Sequence, residues 1–255
     1  MTSPLQAIPG GSWILAIGAN GFIASHVVLE FLKLGYKVRG TVRDISASVW
    51  LTEELFQSYA ANGLFELVAV PDMAAENAFN DAIKDVSAVV QVAFILSYDP
   101  DPNNSIPQNV SAALNLLRAS ANEPSVKRFV QTSSTGAAVM PDANPNNRGN
   151  ASSWNEAAVQ AAWAPPPYEL DRIPMVYMAS KIAQEKALWK FVEEEKPRFT
   201  TNTVLPFWTC GRILNKSQGL SSNQFLRGVY NGDQTMLRMF DACKFLILAS
   251  TRNCA

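Results

Sequence analysis

Short, continuous apolar runs alternate along this chain with segments whose apolar residues recur every three to four positions. The runs Ser12–Ile17, Tyr36–Val42, Leu64–Val70, Ser87–Leu96, Val126–Ser134 and Phe199–Trp208 predict six strands. Between them, Ser25–Gly35 sets Val27, Val28, Phe31, Leu32 and Leu34 at helical spacing and stops at Gly35. Ser48–Gly63, Ala74–Val86, Asn109–Asn122 and Met175–Phe191 read as further helices. The stretch Met140–Pro174 is rich in Asn, Pro and Ala, and it is too long for an ordinary connection. It reads as a functional or flexible loop. Strands alternating with helices give βαβ units and a parallel sheet covered on both faces. Six strands in this order suit an α/β fold with a doubly wound sheet. No internal repeat is present.

Composition narrows the function classes. The chain has 255 residues, 48% of them hydrophobic, with a formal net charge of -1. That suffices for a packed core. Lys and Arg are scattered, with no basic stripe to track a phosphate backbone, so no nucleic-acid partner is expected. No apolar run approaches the ~20 residues needed to span a bilayer, and the N-terminus lacks a basic start with an apolar stretch behind it. No membrane partner is expected. Cys210, Cys243 and Cys254 show no metal-ligand spacing and cannot all pair. A reducing, cytoplasmic setting and no bound metal follow as expectations.

The first candidate site is the turn "IGANGFIASH" after the first strand. Gly18, Gly21 and Ala24 form a G-x-x-G-x-x-A pattern between a buried strand and an amphipathic helix. Glycine permits a tight turn and close approach of a pyrophosphate. The helix start offers unpaired N–H groups and partial positive charge. Asn20, Phe22 and Ile23 belong to the same cofactor-binding turn. A free ribose 2′-OH usually meets an acid at the end of the second strand, whereas a 2′-phosphate meets an Arg. Here the text is "VRGTVRD", which puts Arg39 and Arg43 at that place and points to NADP(H). Asp44 is a candidate partner for either Arg.

The second candidate site is Tyr177 with Lys181. At i and i+4 on a helix they share a face. A nearby ammonium is expected to stabilise phenolate and lower the tyrosine pKa, making Tyr177 a proton donor to a carbonyl oxygen that receives hydride. Tyr168 with Arg172 has the same spacing but lies in the Pro-rich loop. "QTSST" ends the fifth strand, at the sheet edge where such folds bind ligands. Ser133 and Ser134 point in alternating directions, so only one faces the site. His26 is the only histidine, beside the glycine turn, and reads as structural. A Ser-His-Asp hydrolase is disfavoured.

Taken together, "GANGFIASHVV", "GYKVRGTVR", "SVKRFVQTSST", "YMASKIAQEKALWKF" and "FTTNTVLP" resemble the extended short-chain dehydrogenase/reductase family. Within it they are similar to fungal and yeast NADPH-dependent aldehyde and ketone reductases and to dihydroflavonol-reductase-like proteins. The resemblance implies a Rossmann domain over residues 1–211. It also implies that residues 212–255 are a small, truncated remnant of the C-terminal substrate lobe. It implies Ser134, Tyr177 and Lys181 as the catalytic set, with Ser133 as second choice and Lys181 also holding the nicotinamide ribose. Asp72 and Met73 would flank adenine, and Val92, Ala93 and Phe94 would line the cofactor. Pro206 and Thr209 would approach the nicotinamide, and Arg39 would take the 2′-phosphate. The implied function is NADPH-dependent reduction of an aldehyde or ketone. A non-catalytic NADP(H)-binding remnant, or an epimerase or dehydratase, are the alternatives. Phe94, Tyr98, Trp163, Phe207 and Trp208 could line an apolar substrate pocket or serve as core. Several positions depart from the family pattern. Ile17 stands where Thr is usual, which would loosen the turn, Gln91 where His is frequent, and Phe94 where Ser or Thr is frequent. From Gly232 onward the text matches nothing expected of the family, and the apolar surface of Phe207–Trp208 and Phe240–Ala249 would favour self-association.

Overall fold

The structure is a computed structural model that describes residues 7–140, 148–243 and 250–253. All six expected strands are present: β1 (Trp13–Ile17), β2 (Lys37–Val42), β3 (Phe65–Ala69), β4 (Val86–Gln91), β5 (Arg128–Thr132) and β6 (Thr200–Leu205). They pair in parallel in the order β3-β2-β1-β4-β5-β6. A strand not foreseen from sequence, β7 (Ser250–Asn253), adds antiparallel to β6.

Both faces of the sheet are buried, which is why the strands read as unbroken apolar runs rather than as alternation. In β1, Ile14 and Ala16 pack with Val28 and Leu32 of α1 (Phe22–Lys33) on one face. Leu15 and Ile17 face the other way. There they join Leu116 and Leu117 of α3 (Pro102–Asn122) and Leu188 and Phe191 of α6 (Ile173–Glu195). The order reverses between β1 and β4, and the crevice beyond the carboxyl ends of those strands is where such sheets bind ligands.

Three expected elements differ. Of the expected helix Ala74–Val86, residues 74–85 form a series of turns and Val86 opens β4. Phe79, Ala82 and Ile83 are buried and mimic a helical period, but Asn77 and Asp85 take positive φ values of 60° and 61°. Ser48–Gly63 divides into a wide turn of helix at Leu51–Leu55 and the short α2 (Gln57–Ala61), separated at Phe56 with φ −113°. The fourth strand ends at Gln91, five residues before the apolar run does. Ala93 N donates to Ile17 O at 3.0 Å, and the buried Asn109 side chain brackets Ile95 by accepting from its N and donating to its O, each at 3.0 Å. This turns the chain over the sheet edge.

The short α4 (Thr135–Ala138) precedes the long loop, and within the loop α5 (Glu156–Ala162) packs on α6. Asn155 ties α4 to α5: its Oδ1 caps Ala158 N at 3.1 Å and its Nδ2 donates to Gly136 O at 3.0 Å. Beyond β6 come α7 (Asn223–Tyr230) and α8 (Gln234–Cys243). Most of the Phe240–Ala249 run lies outside the described residues. Among the described residues, no helix is long and apolar enough to cross a membrane.

Candidate active site

The glycine turn is built as its residue types require. Gly18 has φ +77°, and a Cβ there would sit 2.6 Å from Ala93 Cβ. Neither feature tolerates a side chain. Gly21 precedes the first turn of α1 and supplies no side-chain cap, so the leading N–H groups of α1 face the crevice without one. Ile17 does not loosen this turn, because β2 secures it. Thr41 Oγ1 accepts from Gly18 N at 3.1 Å, and Thr41 O accepts from Ala19 N at 2.9 Å. A neutral, closely approachable cradle at a helix start fits a dinucleotide pyrophosphate.

A cleft of about 1230 Å³ opens from this turn. It gathers Gly18, Asn20, Gly21, Phe22, Ile23, Arg43, Asp72, Met73, Val92, Ala93, Ser134, Tyr177, Lys181, Pro206 and Thr209. Phe94, Tyr98, Phe207 and Trp208 also line it, whereas Trp163 stands 47% exposed at the end of α5. Trp208 packs on Phe225 of α7, so the Phe207–Trp208 pair is not loose apolar surface.

Arg39 corrects the sequence reading. It lies mid-strand in β2 rather than at the carboxyl end, and it is outside the cleft. Its guanidinium pairs with Glu66 at 2.5 Å, donates to Ala82 O and Lys84 O at 2.9 and 2.7 Å, and covers the Trp13 ring. It fastens β2 to β3 and the turn segment. Arg43, one residue past β2, is exposed and lines the cleft. Asp44 does not compete for it in the way expected. Its carboxyl accepts from the Ser46 hydroxyl and from the Ser46 and Ala47 backbone, and these bonds, the hydroxyl first, hold its pKa down.

Ser133 and Ser134 diverge as their extended backbone demands. Ser133 is buried and its hydroxyl donates to Glu185 Oε2 at 2.5 Å. Ser134 faces the cleft beside Tyr177 and caps α4 through Gly136 N at 3.2 Å. Lys181 is buried on the next turn of α6, donates to Thr132 O at 3.0 Å, and has the Phe94 ring centroid 4.3 Å from Nζ. The expected direction of the tyrosine shift is reversed. Burial raises the Tyr177 pKa, and the neighbouring Ser134 hydroxyl only partly opposes it. Burial lowers Lys181 to about 7, against an upward pull from Glu185. At neutral pH the phenol keeps its proton, the form a proton donor needs.

Three features escaped sequence reading. Thr41 gave no signal beyond its place two residues after Arg39. Gln218 donates to Gly21 O at 3.0 Å and Ser25 Oγ at 2.7 Å, strapping the segment after β6 onto the glycine turn. Ser221, Ser222 and Gln224 of that segment line the cleft. Residues expected as a separate lobe thus contact the first helix, and His26 joins them through Arg212 O at 2.9 Å. Tyr168 and Arg172 are structural, the guanidinium lying over the ring and bonding Ala164 O, Pro165 O and Pro167 O. Gln91 points into the sheet, accepting from Gln131 Nε2 at 3.3 Å.

Comparison with known proteins identifies the family. The NAD-dependent epimerase/dehydratase terH of Aspergillus terreus is 42% identical over 231 residues, 90% of this chain and 67% of that protein. Aldehyde reductase 2 of Sporidiobolus salmonicolor is 40% identical over 230 residues, 89% of this chain and 66% of that protein. The crystal structure of yeast methylglyoxal/isovaleraldehyde reductase Gre2 complexed with NADPH superimposes with TM-score 0.69 at 26% identity, covering 86% of this chain and 66% of that one. The chain thus spans about two thirds of the length of these relatives. The sequence model of the NAD dependent epimerase/dehydratase family matches residues 14–212. With its parallel sheet and dinucleotide crevice, the chain belongs to that family.

Proposed function

We propose that this protein reduces an aldehyde or ketone to an alcohol with NADPH. The observation that carries the reading is that Ser134, Tyr177 and Lys181 line one cleft together, with Lys181 one turn of α6 beyond Tyr177. The Gly18–Ile23 turn would hold the pyrophosphate, Asp72 and Met73 the adenine end, and Arg43 a 2′-phosphate. When bound, the cofactor supplies hydride. Ser134 would hold the carbonyl oxygen, and Tyr177, kept protonated by burial, would deliver the proton to it. Lys181 in its charged form would offset the negative charge left on the phenol oxygen. The cleft wall of Phe94, Leu96, Tyr98, Phe207 and Trp208 suits an apolar or aromatic carbonyl compound. A cytoplasmic setting goes with the reading. A relative named as an aldehyde reductase and a solved reductase complexed with NADPH support it.

The test is NADPH oxidation with a panel of aromatic aldehydes and β-keto esters, beside a direct NADPH titration. Oxidation coupled to alcohol formation is expected. Binding without oxidation across the panel would favour a non-catalytic binding role. Tightly retained NAD in the purified protein would favour an epimerase or dehydratase, the name carried by the Aspergillus terreus relative.

A further inference from the structure

Lys181 is buried in a place that disfavours its charge, and its Nζ donates to the Thr132 carbonyl at 3.0 Å. The groups around it come from several elements: Tyr177 and Glu185 on α6, Thr132 and Ser133 at the end of β5, and Phe94 beyond β4. Of these, Glu185 is the titratable group whose charge acts on it. Glu185 is fully buried, one turn past Lys181, which itself follows Tyr177 by one turn. Three donors from three elements orient its carboxylate: Ser133 Oγ on Oε2 at 2.5 Å, with Thr203 Oγ1 at 2.9 Å and Trp189 Nε1 at 3.3 Å on Oε1.

We propose that Glu185 is a positioning residue, a buried counter-charge that keeps the Lys181 ammonium charged beside Tyr177 and fixes the strand end from which Ser134 faces the cleft. It touches neither substrate nor cofactor and acts through Lys181 and Ser133. The inference rests on the reductase reading for its purpose, but its physical content does not.

The experiment is an NMR titration of the full chain with lysine carrying ¹³C at Cε, Lys181 being assigned by its disappearance in Lys181→Arg. In Glu185→Gln the residue keeps its size. Its amide oxygen accepts from Thr203 and Trp189, and its amide can donate to the Ser133 hydroxyl. Loss of the charge should move the Lys181 titration down by about one pH unit or more. Thr203→Val removes a bond but not the charge, and should titrate at the wild-type pH. An unmoved titration in Glu185→Gln, or an equal shift in Thr203→Val, overturns the proposal. If Glu185→Gln does not fold, the wild-type Glu185 carboxyl carbon decides. It should show an inflection at the pH where Lys181 titrates, and its absence overturns the proposal. The alkaline limb of kcat/KM should move down with the titration. A wild-type protein that reduces no carbonyl compound defeats the reductase reading, and the titration still judges Glu185.

Discussion

Phe94 stands edge-on to Tyr177, with ring centroids 5.4 Å apart and planes at 76°. The same ring covers the Lys181 ammonium. One side chain therefore shields from water both groups proposed to handle the proton. Burial is the largest cause of the shifts at Tyr177 and Lys181, upward in the phenol and downward in the amine. Reduction needs the protonated phenol and the charged amine together. Activity should thus fall as pH rises through about 7, where Lys181 loses its proton. Phe94→Ala admits water to the ammonium. The relief of desolvation should exceed the lost cation–π contact, roughly 0.5–2 kcal/mol, and the activity limb should move to higher pH. Rate profiles of the two proteins between pH 5.5 and pH 9 check this, and a limb that moves down would contradict it.

The same amine links stability to pH. Its folded pKa, about 7, lies below the ordinary 10.5, so between those values the unfolded chain binds more protons than the folded one. Lys181 disfavours folding most fully below pH 7 and progressively less as pH rises toward 10.5. Lys181→Met should remove this component. Urea midpoints of wild type and Lys181→Met should differ more at pH 6.5 than at pH 9.5.

The two adjacent serines should separate cleanly. Ser134→Ala removes the hydroxyl that faces the cleft and should depress kcat, with the lost cap of α4 costing about 1 kcal/mol of stability. Ser133→Ala removes a buried hydrogen bond to the Glu185 carboxylate and should cost about 1.5–3 kcal/mol of stability. Denaturation curves and turnover measured on the same preparations decide between the assignments.

The two arginines offer a second contrast. Arg43→Ala should weaken NADPH binding at least tenfold and NADH binding little. Arg39→Ala breaks the Glu66 pair and two bonds to carbonyls, and should lower stability by about 1–3 kcal/mol with no change in cofactor preference. Binding titrations with both cofactors, alongside melting temperatures, check each half.

The legible parts of this site were those in which chemistry and local spacing coincide. Gly18 and Gly21 announced themselves by their place between a buried run and an amphipathic helix, and Tyr177 and Lys181 by sharing a helix face. Arg39 misled because residue type names a charge but not its depth along the strand. Of the two arginines, only Arg43, beyond the strand's end, reaches the crevice. The 74–86 segment misled because burial of Phe79, Ala82 and Ile83 imitates a helical period even where Asn77 and Asp85 break the backbone ladder. Gln218 was invisible because its meaning lies in contacts to Gly21 and Ser25, nearly two hundred residues away, and no local pattern encodes them.

The central claim is that the Tyr177 phenol donates the proton in a carbonyl reduction. Its most direct measurement is NADPH oxidation by Tyr177→Phe with the best substrate of the panel, set beside NADPH titration of the same protein. A loss of roughly 10²–10⁴-fold in kcat with nearly unchanged NADPH affinity is expected. Turnover at the wild-type rate would contradict the account.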